Sequence, residues 1–335
     1  MVERQAVLAE IVRSGFVEGH HYGSVVALAA DGSTAYAAGD VTSPVLPRSC
    51  NKPLQAVGML RAGLDIDGEL MAVACASHSG EPFHVDAVRR ILAGAGLDES
   101  LLQTPPDFPL DEGSREAVVR AGGTRAPVLM NCSGKHAAML ATCVVNDWDL
   151  ATYREPDHPL QQAIIAAFSD LTGEPVTAIA VDGCGAPLLS ASLTGLARGF
   201  AAVATATDGP EHRVAEAIRK HPAFVSGTTR DERALLTAMP GAIGKAGAES
   251  CYAVALPDGR SFALKHDDGA PRVRAVTMAA LLQRLGVDAE DGVDTEAVRA
   301  TGRVPVLGGG VPVGEIRSTL PRGLDMLDHR CASSR

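Results

Sequence analysis

The sequence predicts a mixed α+β fold, with one antiparallel sheet flanked by helices and a helical subdomain in the middle of the chain. Three observations carry this expectation. Two β-prone runs meet at an Asp31-Gly32 turn near the start, two more meet at Asp258-Gly259 near the end, and the long stretch between them is dominated by helical periodicity. A lone hairpin is only marginally stable in water, so two hairpins far apart in sequence are expected to pair with each other. The sheet part is then placed at about 1–48 and 240–335, and the helical part at about 49–239, of a single domain spanning 1–335.

Taken in order, Gln5 to Arg13 reads as a short opening helix and GSVVALAADGSTAYAAGD as the first hairpin. From Ser49 to Arg61 the chain turns helical, with Pro53 in a first turn where its missing N–H costs nothing. Residues 66–98 read as helices interrupted at SHSGEP, and 105–125 as a Pro/Gly/Asp-rich loop carrying a short helix. APVLMNCSGKHAAMLATCVV is a buried run, a glycine turn and a helix starting near Lys135; HPLQQAIIAAFSDLTG is an amphipathic helix. TAIAVDGCGAPLLSASLTGLARGF is strand-like up to a break at Gly183-Cys184-Gly185, then helical, as is 210–240. The second hairpin spans GKAGAESCYAVALPDGRSFALKHDDG, and the helix RVRAVTMAALLQRLG follows it. The tail from Gly286, acidic and then Gly/Pro-rich through VPVLGGGVPVGEIR, is expected to pack along the surface. This order places the start of the Ser49 helix and the start of the Lys245 strand at one seam.

Composition excludes several classes of function. Thirty basic against forty acidic side chains leave a net charge of −10 over 335 residues, which argues against a nucleic-acid or anionic-membrane partner. No run reaches the roughly 18 apolar residues needed to cross a bilayer, and the N-terminus lacks an apolar h-region, so a cytoplasmic address is expected. Seven cysteines without a disulfide-like rhythm are read as reduced thiols.

Lysine placement is more informative. Only five of the 30 basic residues are lysines, and three of them, Lys52, Lys135 and Lys245, fall in short motifs rich in Ser, Cys, Gly and Asn. Arginine does not lose its proton in a protein, whereas a desolvated lysine can become a base or a ligand. Ser49-Cys50-Asn51-Lys52 sets a hydroxyl and an amine on one helix face, the arrangement a serine nucleophile and its lysine base require. The spacing is also common by chance, and Ser49 could be a mere capping hydroxyl. Gly244-Lys245-Ala246-Gly247 resembles the Lys-Thr-Gly element of penicillin-recognising serine enzymes, with Ala for Thr. On local grounds Ser77 and His78, in Cys75-Ala76-Ser77-His78-Ser79-Gly80, read as structural. The Gly134-Lys135 pair lacks the first glycine and the Ser/Thr of a phosphate loop. Cys132 and Cys184, each in a glycine-flanked turn, could bind a soft metal, with His136 or Lys135 completing the shell.

Six motifs in this order resemble the rhizobial-type L-asparaginases, the asparaginase II family: Arg48-Ser49-Cys50-Asn51-Lys52-Pro53, Ala76-Ser77-His78, Asn131-Cys132-Ser133-Gly134-Lys135-His136, Val181-Asp182-Gly183-Cys184-Gly185, Lys245-Ala246-Gly247-Ala248-Glu249 and Ala263-Leu264-Lys265-His266-Asp267-Asp268-Gly269. The resemblance runs from about Glu10 through Val313-Gly314-Glu315-Ile316-Arg317. It implies a serine β-lactamase/glutaminase-like fold, a homodimer, and hydrolysis of L-asparagine to L-aspartate and ammonia. It also implies two Ser-Lys pairs, Ser49 with Lys52 and Ser77 with a distant lysine, Lys245 or alternatively Lys265. Zinc is implied at Cys132, Cys184 and Lys135, and substrate contacts at Arg48, His78, His136, Asp182 and Arg230. Two departures stand out: Ala246 replaces the more usual Thr or Val, and the segment between Cys184 and Lys245 is short, which bears on Arg230. Which serine is acylated is left open by the spacing. A penicillin-recognising-type peptidase or esterase, and a non-catalytic metal-binding sensor, are the rival readings.

Overall fold

Pairing of the two distant hairpins organises the structure, a computed structural model that describes residues 5–321. Strands β1 (Ala6–Arg13), β2 (Phe16–Leu28) and β3 (Thr34–Ala38) open the chain. Helices α1 (Lys52–Arg61), α2 (Gly68–Ala74), α3 (Pro82–Gly94), α4 (Glu112–Arg120), α5 (Ser133–Val145) and α6 (Pro159–Thr172) follow. The small hairpin β4 (Ile179–Val181) and β5 (Pro187–Leu189) leads to α7 (Leu193–Thr205), α8 (Gly209–Lys220), α9 (Pro222–Val225) and α10 (Asp231–Ala238). The chain then returns to the sheet through β6 (Ile243–Gly247), β7 (Cys251–Ala255) and β8 (Ser261–His266), and continues with α11 (Pro271–Arg284), α12 (Thr295–Thr301), β9 (Val304–Gly308) and β10 (Val311–Ser318).

The antiparallel sheet has the order β6-β7-β8-β2-β1-β10-β9, with β3 beside β2. Long β2 joins the two ends of the chain: residues 16–23 pair with β1, while Gly23↔His266 through Leu28↔Ser261 join it to β8. Strands β6 and β7 are buried throughout and β8 nearly so, which requires cover on both faces. Helix α7 packs on β2, β7 and β8, and α11 on β8, β1 and β10. The expected α+β architecture is therefore the one found, with helical residues between β3 and β6. Among the described residues no helix is long and apolar enough to cross a membrane.

Two local expectations are corrected. Gln5 to Arg13 is not a helix: Ala6–Arg13 is strand β1, held by β2 on one side and β10 on the other. Tertiary pairing overrides its weak helical preference. The Gly/Pro-rich tail is not a surface wrap but the β9–β10 hairpin, turning at Gly309-Gly310 with φ of 59° and 81°. Both glycines occupy the left-handed region that a tight hairpin turn demands. Pro305 sits on edge strand β9, and Pro312 lies next to a register shift, the two settings in which a sheet tolerates proline.

Candidate active site

Ser49 lies on a single 3₁₀ turn, Arg48–Asn51, that runs straight into α1. Arg48 is a non-glycine residue at φ 54°, so this turn holds backbone strain of the kind found at functional sites. Its side chain is fixed from two directions, by Asp182 at 2.8 Å and Glu249 at 3.4 Å. Strand β6 presses against the same turn: Cys50 Sγ donates to the Lys245 carbonyl at 2.9 Å. A Cβ on Gly247 would stand 2.5 Å from Pro47 O and 3.2 Å from Ser49 N, so only glycine permits this approach. Ser49 and Ser77 are each 9% exposed, reachable at the rim of an otherwise buried set.

Lys52, 1% exposed, donates from Nζ to Ala76 O at 2.5 Å, Ser77 Oγ at 3.0 Å and Cys132 Sγ at 3.1 Å. Its hydrogen bond thus goes to Ser77 rather than to Ser49, which shares its turn. Ser77 sits in the segment leaving α2, and its N–H donates to Val225 O at 3.2 Å. The N–H of Ser49, by contrast, has no hydrogen-bond partner among the described residues. Helices α2 and α5, which carry these neighbours, meet closely: a Cβ on Gly134 would lie 2.3 Å from Val73 O.

Lys245, expected to serve Ser77, instead donates to Glu232 Oε1 at 2.5 Å and Ala246 O at 2.7 Å. Both partners of this ion pair are fully buried. Burial pushes Lys245 down, Glu232 pulls it up, Lys52 adds to the downward push, and the net direction is below the ordinary lysine value. Burial works to raise Glu232, but Lys245, Arg230 and Arg274 outweigh it and hold the carboxyl below its usual range. The alternative lysine, Lys265, donates to the Glu249 and His266 carbonyls at 2.9 and 3.2 Å.

The expected metal residues converge. Lys135 Nζ donates to Cys184 Sγ at 3.3 Å, and the Cys132 and Cys184 thiols are in contact. That contact, reinforced by Lys135, holds Cys184 well below the ordinary thiol range despite burial, while the contact and burial push Cys132 well above it. Burial disfavours a charged Lys135, but the two sulfurs outweigh it and raise the amine. His136 pairs through Nδ1 with Tyr153 Oη at 2.6 Å, and its buried Nε2 faces the Cys184 sulfur without a well-formed hydrogen bond. Among the described residues no three His, Cys, Asp or Glu side chains form a group that could hold a metal, so any ion here would need Lys135 beside the two cysteines.

The remaining substrate candidates divide. Arg48 and Asp182 pair with each other at 23% and 9% side-chain exposure. Arg230, partly exposed, reaches Glu232 Oε2 at 3.4 Å. His78 is fully buried and uses both ring nitrogens internally, with Ser133 Oγ at 2.8 Å and the Gly80 N–H at 3.1 Å; burial lowers its pKa well below the imidazole value. Sequence reading missed Glu232 and Tyr153. In TTRDERALL the glutamate looks like an ordinary acid in a first helical turn, and Tyr153 lies in a loop with no motif around it.

Comparison with known proteins completes the description and makes the chain an amidohydrolase. The model of the L-asparaginase II family matches residues 9–318, and the chain belongs to that family. No curated protein matches it. Among solved structures, it is similar to a β-lactamase from Mycobacterium bovis, at 11% identity and TM-score 0.37, covering 74% of this chain and 88% of that one. It is also similar to Mglu in its native form, at 13% identity and TM-score 0.41, covering 89% of this chain and 67% of that one. These likenesses are too distant to inform function or local geometry.

Proposed function

We propose that the protein is an L-asparaginase in which Ser49 is the nucleophile. Family membership supports amide hydrolysis, and the observation that carries the choice of serine is the free Ser49 N–H beside a hydroxyl at the rim, where Ser77 has committed its N–H to Val225. A serine hydroxyl attacks an amide efficiently only when a donor receives the oxyanion and a base takes the proton. Ser49 Oγ would bond to the side-chain amide carbon of L-asparagine, with the Ser49 N–H facing the developing oxyanion. Its proton passes to Lys52, whose amine must be neutral to accept it. Ser77 Oγ, 3.0 Å from Lys52 Nζ, can pass that proton on to the departing ammonia. Water then attacks the ester and releases L-aspartate. Arg48 suits the α-carboxylate, and Asp182 the α-ammonium.

Cys132, Cys184 and Lys135 fit zinc by donor chemistry, with two soft sulfurs in contact and an amine in contact with one of them. Binding through Lys135 would require that amine to release its proton. When bound, the ion would supply a fixed positive charge able to orient a carboxylate or carbonyl oxygen.

The test is ammonia release from L-asparagine by wild type and Ser49→Ala, with mass spectrometry for an acyl adduct on the Ser49 peptide. Turnover in the variant equal to wild type, or an adduct on Ser77, would refute the assignment.

A further inference from the structure

Glu232 plays no part in the steps above, yet a carboxylate removed from water needs compensation from its surroundings. It is fully buried, and its Oε1 accepts from both Lys245 Nζ at 2.5 Å and the Ala246 N–H at 2.8 Å. Its Oε2 faces Arg230 at 3.4 Å and Arg274 at 4.0 Å. One oxygen therefore fixes a side chain and the backbone of β6 together, and β6 is the strand locked to the Ser49 turn through Cys50 and Gly247. We propose that Glu232 is a positioning residue for the hydrolysis, holding the Lys245 ammonium and strand β6 in register with the turn that carries Ser49. This deepens the asparaginase reading and rests on it.

Charge arithmetic around Lys245 supports the assignment. The groups facing it are Glu232 from α10, Lys52 from α1, Cys50 from the Ser49 turn and Cys75 at the end of α2. Those facing Glu232 are Lys245, Arg230 and Arg274, the last also paired with Asp231 and facing Tyr252 of β7. Glu232 is the one carboxylate among the described residues that touches Lys245. Its removal leaves the buried Lys245 ammonium with no carboxylate beside it, which favours loss of a proton from Lys245 and release of β6.

The experiment compares wild type, Glu232→Gln and Glu232→Gln/Lys245→Met in kinetics and in urea unfolding. Glu232→Gln is expected to lower kcat at least about tenfold while KM changes less than about threefold, as for an interaction felt chiefly in the transition state. The alkaline limb of its kcat/KM profile moves to lower pH, because Lys245 gives up its proton more readily. A residue that only fills space would leave that limb in place. In urea, the double variant is expected to be more stable than Glu232→Gln, since it removes the uncompensated cation. Between pH 7 and 9 the single variant gains stability more steeply than wild type: its unfolded chain holds a proton that the folded Lys245 has lost. Either an unmoved alkaline limb or a double variant no more stable than the single one overturns the proposal. If wild type releases no ammonia from L-asparagine, the function reading fails and the catalytic role of Glu232 falls with it; the unfolding comparison separately decides whether Glu232 holds Lys245.

Discussion

Acidification from pH 7 to pH 5 is expected to destabilise the fold through its buried histidines. His266 is enclosed between Ser250 Oγ and Thr277 Oγ1, both at 3.0 Å, and His84 is held by the Ala223 carbonyl at 3.0 Å. Burial, the dominant cause for both, lowers each from the ordinary 6.5 to about 4. Between those values the unfolded chain binds a proton that the folded protein refuses, so stability falls as pH drops below about 6.5 and the loss is complete below about 4. Integrating from pH 7 to pH 5 gives about 2 kcal/mol for each ring, roughly 4 kcal/mol for the two, a large part of the stability of a typical domain. Depressed carboxylates such as Glu232 add to acid loss only below the normal carboxyl range, so they do not contribute in this window. The assay is the urea midpoint at pH 7, 6 and 5 for wild type and His266→Gln. The variant should lose about half of the pH dependence assigned to the two rings. A midpoint that is flat or rises on acidification would refute the reasoning.

Three further outcomes follow from the site. Lys52→Met, which keeps the chain's bulk while removing the amine, should lower kcat about a hundredfold or more in ammonia release, the scale of general-base catalysis; a loss under tenfold would remove Lys52 as the base. Gly247→Ala should destabilise by about 1–3 kcal/mol in urea and lower kcat, because its Cβ would meet the Pro47 carbonyl at 2.5 Å; a neutral effect would mean that β6 moves freely against the turn. Metal analysis of wild type should find zinc that Cys132→Ser and Cys184→Ser lose, and equal retention in the variants would exclude that site.

Periodicity and turn chemistry, read from the chain alone, determined the α+β class, the hairpins at Asp31-Gly32 and Asp258-Gly259, and the convergence of the Ser49 turn with the Lys245 strand, because these depend on local preference and on the need of a hairpin for a partner. Motif order likewise identified Cys132, Lys135 and Cys184, which the fold brings into contact. Only tertiary structure decided that Ala6–Arg13 is a strand and that the glycine-rich tail extends the sheet, since β1 and β10 join through pairing between residues about three hundred apart in sequence. It also decided which amine meets which hydroxyl. Sequence spacing places Lys52 one turn from Ser49, but its Nζ hydrogen-bonds Ser77, and Lys245 pairs with Glu232. A side chain of four methylenes selects its partner by what burial leaves within reach, and that selection is made only once the helices have packed onto the sheet.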